Sequence, residues 1–366
     1  MKSIEKTLET CRSCLSHDPQ VKNLFEKFGE SSGKGFLYEY AQDGQTLLMD
    51  LVAEEQIPVV TLYANADVLV KDEKLALVAK YCQLKSDSQD PGILVISPSY
   101  HYVFYRITIP VVGVQFSENT LRQMNLCAFE KIAACRDDLI KLTNDDLIVF
   151  HGTQERNPCG ETERPAFSSD MLLQTKQLLA EELRNAQYDT LSRNTDEEDS
   201  TLFLTQFIKE DQIYYEKITL DESGFLLVSV RSDFKVSPEL QSSIAVYCNQ
   251  KNSIRKLAGL RAYSGDGYLW FSSPISLWDG PVGIDSIKLL EVIGTNAINE
   301  ALSAIGEDEN EDEDEQDTGF KIVGRDTEPS CEEDVILEEF DQPLIDDDEV
   351  LIPDDTTLNG TTDQNN

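Results

Sequence analysis

Histidine is scarce in this chain: only His17, His101 and His151 occur in 366 residues. None belongs to an H-E-x-x-H pair or stands beside a serine or cysteine in a nucleophile-elbow pattern, so the commonest marks of zinc-dependent and serine-type hydrolysis are missing. Glycine-rich phosphate loops are missing too. Ser264-Gly265-Asp266-Gly267 fits neither the P-loop nor the dinucleotide pattern and reads as a hairpin turn. No apolar stretch approaches the roughly 18 uninterrupted residues of a membrane helix. The N-terminal MKSIEKTLETCRSC lacks the apolar centre of a secretory signal. No membrane association is expected, and a cytoplasmic location is. Basic residues are few, 31 Lys and Arg against 68 Asp and Glu, for a net charge of −37. Such a balance repels nucleic acid and anionic lipid, so neither is an expected partner.

What the chain does have is enough length and apolar content for more than one folded core. At 366 residues, 40% of them hydrophobic, two domains are expected. The acid is concentrated at one end. Residues 306–366 hold 24 Asp and Glu against 2 Lys and Arg, a net of −22, which leaves −15 for residues 1–305. A run such as GEDENEDEDEQD cannot collapse against its own repulsion, so 306–366 is expected to be a disordered acidic tail. Apolar islands interrupt it at 320–323, 335–337 and 350–352. Such islands within acid suit docking on a partner's groove or strand edge.

Eight cysteines (Cys11, Cys14, Cys82, Cys127, Cys135, Cys159, Cys248 and Cys331) lie mostly within helix-periodic runs. That fits reduced, buried thiols better than a disulfide framework. Cys11-x-x-Cys14, followed by His17, is the one thiol motif. Zinc would need a fourth ligand that the neighbouring sequence does not offer. Redox chemistry would need a strand–helix context. Two cysteines on one helix face satisfy the spacing without either. No metal and no cofactor are expected. Carboxylates are too plentiful for a pair of them to mark acid–base catalysis, and 307–315 lacks the alternating ligands and central glycine of an EF-hand.

The most informative pattern is a repeat. Tyr81-Cys82 and Tyr247-Cys248 are 166 residues apart, as are Lys85 and Lys251, and so are the aromatic runs Tyr102–Tyr105 and Tyr268–Phe271. In the first copy the spacing predicts a helix through Ile4, Leu8, Cys11 and Leu15, then a second short helix, VKNLFEKF, stopping at Gly29. Strands are expected at 36–40, 46–52 and 59–63, the first two joined at Asp43-Gly44. A helix capped by Asp72 carries Leu75, Val78, Ala79 and Cys82 inward. A hairpin of 93–96 with 102–109 and a closing helix capped by Ser117 complete the copy. The second copy repeats the order: a helix over 170–188, strands at 202–208, 213–220 and 225–230, a helix from Pro238, a hairpin of 259–263 with 268–273, and a helix opened by Asp285. The expected fold class is α+β, with two similar domains, each an antiparallel sheet of about five strands packed on helices. Residues 1–143 and 168–305 form the domains, and the Pro- and Gly-containing 144–167 links them.

This order, with the aromatic late strand, Pro110 and Gly113 or Pro274 and Gly280 after it, and the capped closing helix, resembles the YbjN-type, type III secretion chaperone-like domain in tandem duplicate. The resemblance spans about 30–140 and 195–305 and rests on a pattern of elements. It implies a non-enzymatic, chaperone-like or regulatory protein that binds another protein through the sheet edges and aromatic surface of the two copies, and a covalent pseudo-dimer of those copies. Tyr102, Phe104, Tyr268 and Trp270 are the candidate protein-binding residues, because Tyr and Trp combine large buried area with a polar handle. Packing within the core or between domains would equally account for them. Two other readings stand beside this one: an acidic chaperone or mimic whose tail captures basic partners, and an enzyme whose site is assembled from dispersed residues.

Overall fold

Alternation decides most of the architecture. In 45–54 the residues Leu47, Met49, Leu51 and Ala53 are buried while their neighbours are not, the period of a strand with one face on a core. Each such apolar side chain larger than alanine contributes about 1.5–3 kcal/mol relative to exposure. A computed structural model describes residues 2–28, 34–54, 58–86, 90–111, 116–144, 169–185, 189–190, 201–209, 212–220, 223–237, 239–254, 259–262, 267–280, 282 and 284–311. The fold is α+β, with two antiparallel sheets packed against helices.

The first sheet comprises β1 (Val21–Phe28), β2 (Lys34–Gln42), β3 (Gln45–Glu54), β4 (Val59–Leu69), β5 (Ile93–Ile96) and β6 (Tyr102–Pro110), in the order β1-β2-β3-β4-β6-β5. Helix α1 (Lys2–His17) precedes it, α2 (Leu75–Lys85) lies between β4 and β5, and α3 (Glu118–Thr143) follows. In the second half, α4 (Ser169–Asn185) precedes β7 (Asp189–Thr190), β8 (Thr201–Lys209), β9 (Gln212–Leu220) and β10 (Phe225–Lys235). Then come α5 (Gln241–Ile254), β11 (Leu260–Ala262), β12 (Tyr268–Ser276) and α6 (Ile284–Glu311). The strand order is β7-β8-β9-β10-β12-β11 when read from β7.

Registers in the two sheets differ by a constant. Val59 pairs with Pro110 and Asn65 with Phe104; Phe225 pairs with Ser276 and Arg231 with Trp270. Each residue of the second set is 166 beyond its counterpart. Both ladders then break at the same place, resuming at Leu69 with Tyr102 and at Lys235 with Tyr268. A glycine enters each edge strand where no side chain fits: a Cβ on Gly92 would lie 2.6 Å from the Arg106 carbonyl oxygen, and one on Gly259 would lie 2.4 Å from that of Ser272.

Local chemistry explains the joints. Asp43 and Gly44 both take positive φ, +50° and +77°, the turn that suits the twist of a two-residue hairpin. Ser117 caps α3, its Oγ accepting from the Thr120 amide at 3.2 Å. Ser86 and Asn252 close the ends of α2 and α5 onto the edge strands. Ser86 Oγ accepts from Leu94 N at 2.9 Å, and Asn252 Oδ1 accepts from Leu260 N at 2.9 Å while its Nδ2 donates to Leu260 O at 2.6 Å.

Four expectations need correction. VKNLFEKF is not a helix but β1. A bulge between Lys22 and Phe25, with Asn23 at φ +49°, turns Val21 and Leu24 to the same core, so a kinked strand imitates helical spacing. Asp72 does not cap α2. It opens a short 3-10 turn, Asp72–Lys74, and its carboxylate lies 3.1 Å from His101 Nδ1. Each sheet has six strands rather than about five, the additions being β1 and the two-residue β7. Helix α6 runs on to Glu311, into the segment expected to be unstructured. Pro238, the 145–168 connection and residues 312–366 lie outside the described residues.

The two sheets belong to one compact unit, Met1–Glu315, and their cores interlock. Val59 of β4 is buried in the second core, while Phe225 and Leu227 of β10 are buried in the first. Polar contacts follow the same path. Asn249 Oδ1 accepts from Ile96 N at 2.9 Å, Arg106 donates to Asn252 O at 2.7 Å, and Arg261 donates to Asp90 O at 3.0 Å. Asp279 takes the Ser117 amide at 2.8 Å, so the second half sits at the N-terminus of α3. Among the described residues no helix is long and apolar enough to cross a membrane.

Candidate protein-binding surface

The pleat of β12 sorts its residues into two sets. Phe271 faces α6 so closely that a Cβ on Gly294 would lie 2.8 Å from its ring. Leu269 and Phe271 are therefore core, and Tyr268 and Trp270 stand on the opposite face, half-buried. β6 shows the same alternation: Val103 and Tyr105 are core, while Tyr102 and Phe104 are half-buried. The four residues singled out from the sequence thus occupy matching positions on the faces turned away from the helices.

Along each of these faces the chemistry changes. At the buried end small hydroxyls meet, Thr61 with Thr108 at 3.2 Å and Ser229 with Ser272 at 2.8 Å, and Ser276 meets Thr120 from the first turn of α3 at 2.6 Å. At the half-buried end aromatic rings gather round an arginine. In the first sheet Tyr63 and Phe104 are edge to face at 6.5 Å, and the Arg106 guanidinium lies 5.1 Å from the Tyr63 ring. Arg106 itself is buried.

The second sheet carries the fuller cluster. Strand pairing sets Gln206, Tyr215, Arg231, Trp270 and Arg261 side by side across five strands. The guanidinium carbon of Arg231 lies 4.1 Å from the Tyr268 ring, 4.3 Å from Tyr215 and 5.5 Å from Trp270. Lys235 Nζ sits 5.7 Å from Tyr268. Each cation–ring contact at a partly exposed site contributes about 0.5–1 kcal/mol. Tyr268 and Trp270 were legible from sequence; Tyr215 and Arg231 were not, because only the antiparallel register brings them there. A useful signal would have been an Arg and a Tyr on neighbouring strands at equal distance from their turn.

Three of the four edge strands are obstructed. β5 and β11 are closed by Ser86, Asn249 and Asn252. β1 carries the bulge and two lysines, Lys22 and Lys27, features that protect an edge from pairing.

The other named groups lie elsewhere. Cys11 and Cys14 are both buried, with Cys14 Sγ 3.8 Å from Glu118 O, and burial pushes both thiols above their ordinary range. That favours inert thiols over a nucleophile or ligand pair. His17 is exposed, its Nδ1 2.7 Å from Ser13 O. His151 lies outside the described residues. Among those residues no group of three or more His, Cys, Asp or Glu is placed to hold a metal ion. One titratable pair went unnoticed in the sequence. Glu216 of β9, fully buried, meets Glu291 of α6, and Thr205 Oγ1 donates to Glu216 at 2.9 Å. Burial first, and then Glu291, holds the Glu216 carboxyl well above the usual range. Glu291 is buried as well, so the pair lies between β9 and α6.

No family model, curated protein or solved structure matches the chain.

Proposed function

We propose that the chain is a non-enzymatic protein-binding module of two tandem chaperone-like units joined as a covalent pseudo-dimer, binding its partner through the aromatic face of β6 and β12. The constant 166-residue displacement of strand registers supports the duplication. The reciprocal burial of Val59 and Phe225, also 166 apart, supports the pseudo-dimer. A single observation carries the binding reading: Tyr215, Tyr268 and Trp270 are half-buried around the Arg231 cation. Large aromatic groups in such a position suit an interface anchor.

Affinity capture with the native chain, compared with Trp270→Ala and Tyr268→Ala variants of unchanged Tm, tests this. One stoichiometric protein partner should be held by the native chain at moderate salt and lost from both variants. Equal capture by all three forms would overturn the reading. Capture that survives both substitutions but disappears with salt would favour acquisition of basic partners by the acidic segment.

A further inference from the structure

Resting on that reading, we infer that the Arg231 cluster receives an acidic, extended peptide segment, with a carboxylate on Arg231 and the neighbouring apolar side chains against Tyr215, Tyr268 and Trp270. The chain as a whole is strongly anionic, yet this face gathers cations. Lys217 follows Tyr215 by two residues and so shares its face, Arg231 stands between the rings, and Lys235 covers Tyr268. Among the described residues no carboxylate forms an ion pair with any of the three. Asp233, exposed at the bulge of β10, is the nearest acid in sequence to Arg231 and Lys235 and forms no ion pair with them, and Glu216, next to Lys217, is buried on the opposite face of β9.

The geometry of the guanidinium is decisive. Ring centroids lie 4.1 and 4.3 Å from its central carbon, and one N–H donates to Ser232 O at 3.0 Å. A guanidinium has five N–H donors in a rigid fork, so the remaining edge keeps the parallel pair that a carboxylate accepts. Stacking also fixes the fork before the ligand arrives, which lowers the ordering cost of binding. The long-range repulsion from the rest of the chain is screened beyond about 8 Å at physiological salt. An apolar–acidic alternation suits the site because a strand places every second side chain on one face, as the cluster's own rings are placed.

The probe is a labelled synthetic ten-residue peptide of alternating leucine and glutamate, added to the full chain, with glutamine and lysine versions as controls. The acidic peptide should bind and change the Trp270 emission; the glutamine and lysine versions should not. Arg231→Lys, which keeps the charge but loses the fork and the stacking, should weaken binding by about tenfold or more. Arg231→Gln should abolish it, with Tm confirming that both variants fold. Equal binding of the glutamine peptide, undiminished binding to Arg231→Gln, or no binding of the acidic peptide would each overturn the inference. Competition by inorganic phosphate as effective as that by the peptide would overturn it in favour of a simple anion site. Partner capture that still depends on Trp270 would leave the protein-binding reading standing in any of those cases.

Discussion

A single strand holds residues with opposite duties, and two adjacent side chains separate them. Phe271 fills the second core against Gly294, whereas Trp270 lies half-buried on the other face. Phe271→Ala should therefore cost about 3–5 kcal/mol in chemical denaturation. Trp270→Ala should cost only about 1 kcal/mol, the scale of its ring–cation contact, while removing partner capture. Glu216 gives a second residue-scale prediction. Its folded pKa is raised above the ordinary 4.5, by burial and then by Glu291. The folded state thus holds the proton more tightly than the unfolded chain does. That contribution is fully present below about pH 4.5 and is lost as pH rises toward the folded pKa. Glu216→Gln keeps the shape and the Thr205 contact without an ionisable proton. Its Tm should exceed that of the native chain at pH 8, with the gain shrinking toward pH 5; a gain independent of pH would contradict the assignment.

At the scale of elements, the polar clips at the ends of α2 and α5 matter more than helix propensity. Asn252 satisfies both backbone groups of Leu260 and the amide of Gly259, and its own carbonyl accepts from Arg106 of the other half. Asn252→Ala leaves those buried groups at Gly259 and Leu260 unpaired and should cost about 2–4 kcal/mol by denaturant titration. Ser86→Ala, which removes fewer contacts, should cost about 1–2 kcal/mol. The elements themselves were largely legible. Alternation marked β2 to β4 and β8 to β10, Asp43-Gly44 marked its hairpin, and Ser117 marked the start of α3. β1 was hidden by its bulge, which shifts Leu24 onto the face of Val21 and copies the helical interval. Of the candidate surface, Tyr268 and Trp270 were visible as an aromatic strand. Arg231 was not, since a cross-strand neighbour 39 residues away leaves no local trace. The Glu216–Glu291 pair was invisible for a related reason: acid is so abundant here that two buried carboxyls do not stand out.

At the scale of the whole molecule, the interlocked cores make the two halves one thermodynamic body. Phe225 of β10 is fully buried in the first core, not the second. Phe225→Ala should destabilise by about 3–5 kcal/mol. In hydrogen exchange it should lower protection of β4 and β6 as well as of β10. Protection lost only within residues 201–311 would show the halves to be energetically separate. The half-buried face of β12 is this body's candidate surface. Its behaviour in a complex is the most direct test of what the molecule is for. Hydroxyl-radical footprinting of the chain with and without its captured partner should show protection concentrated at Tyr215, Tyr268 and Trp270, with Phe271 unchanged. Protection elsewhere, with those three rings as reactive as in the free chain, would contradict the account.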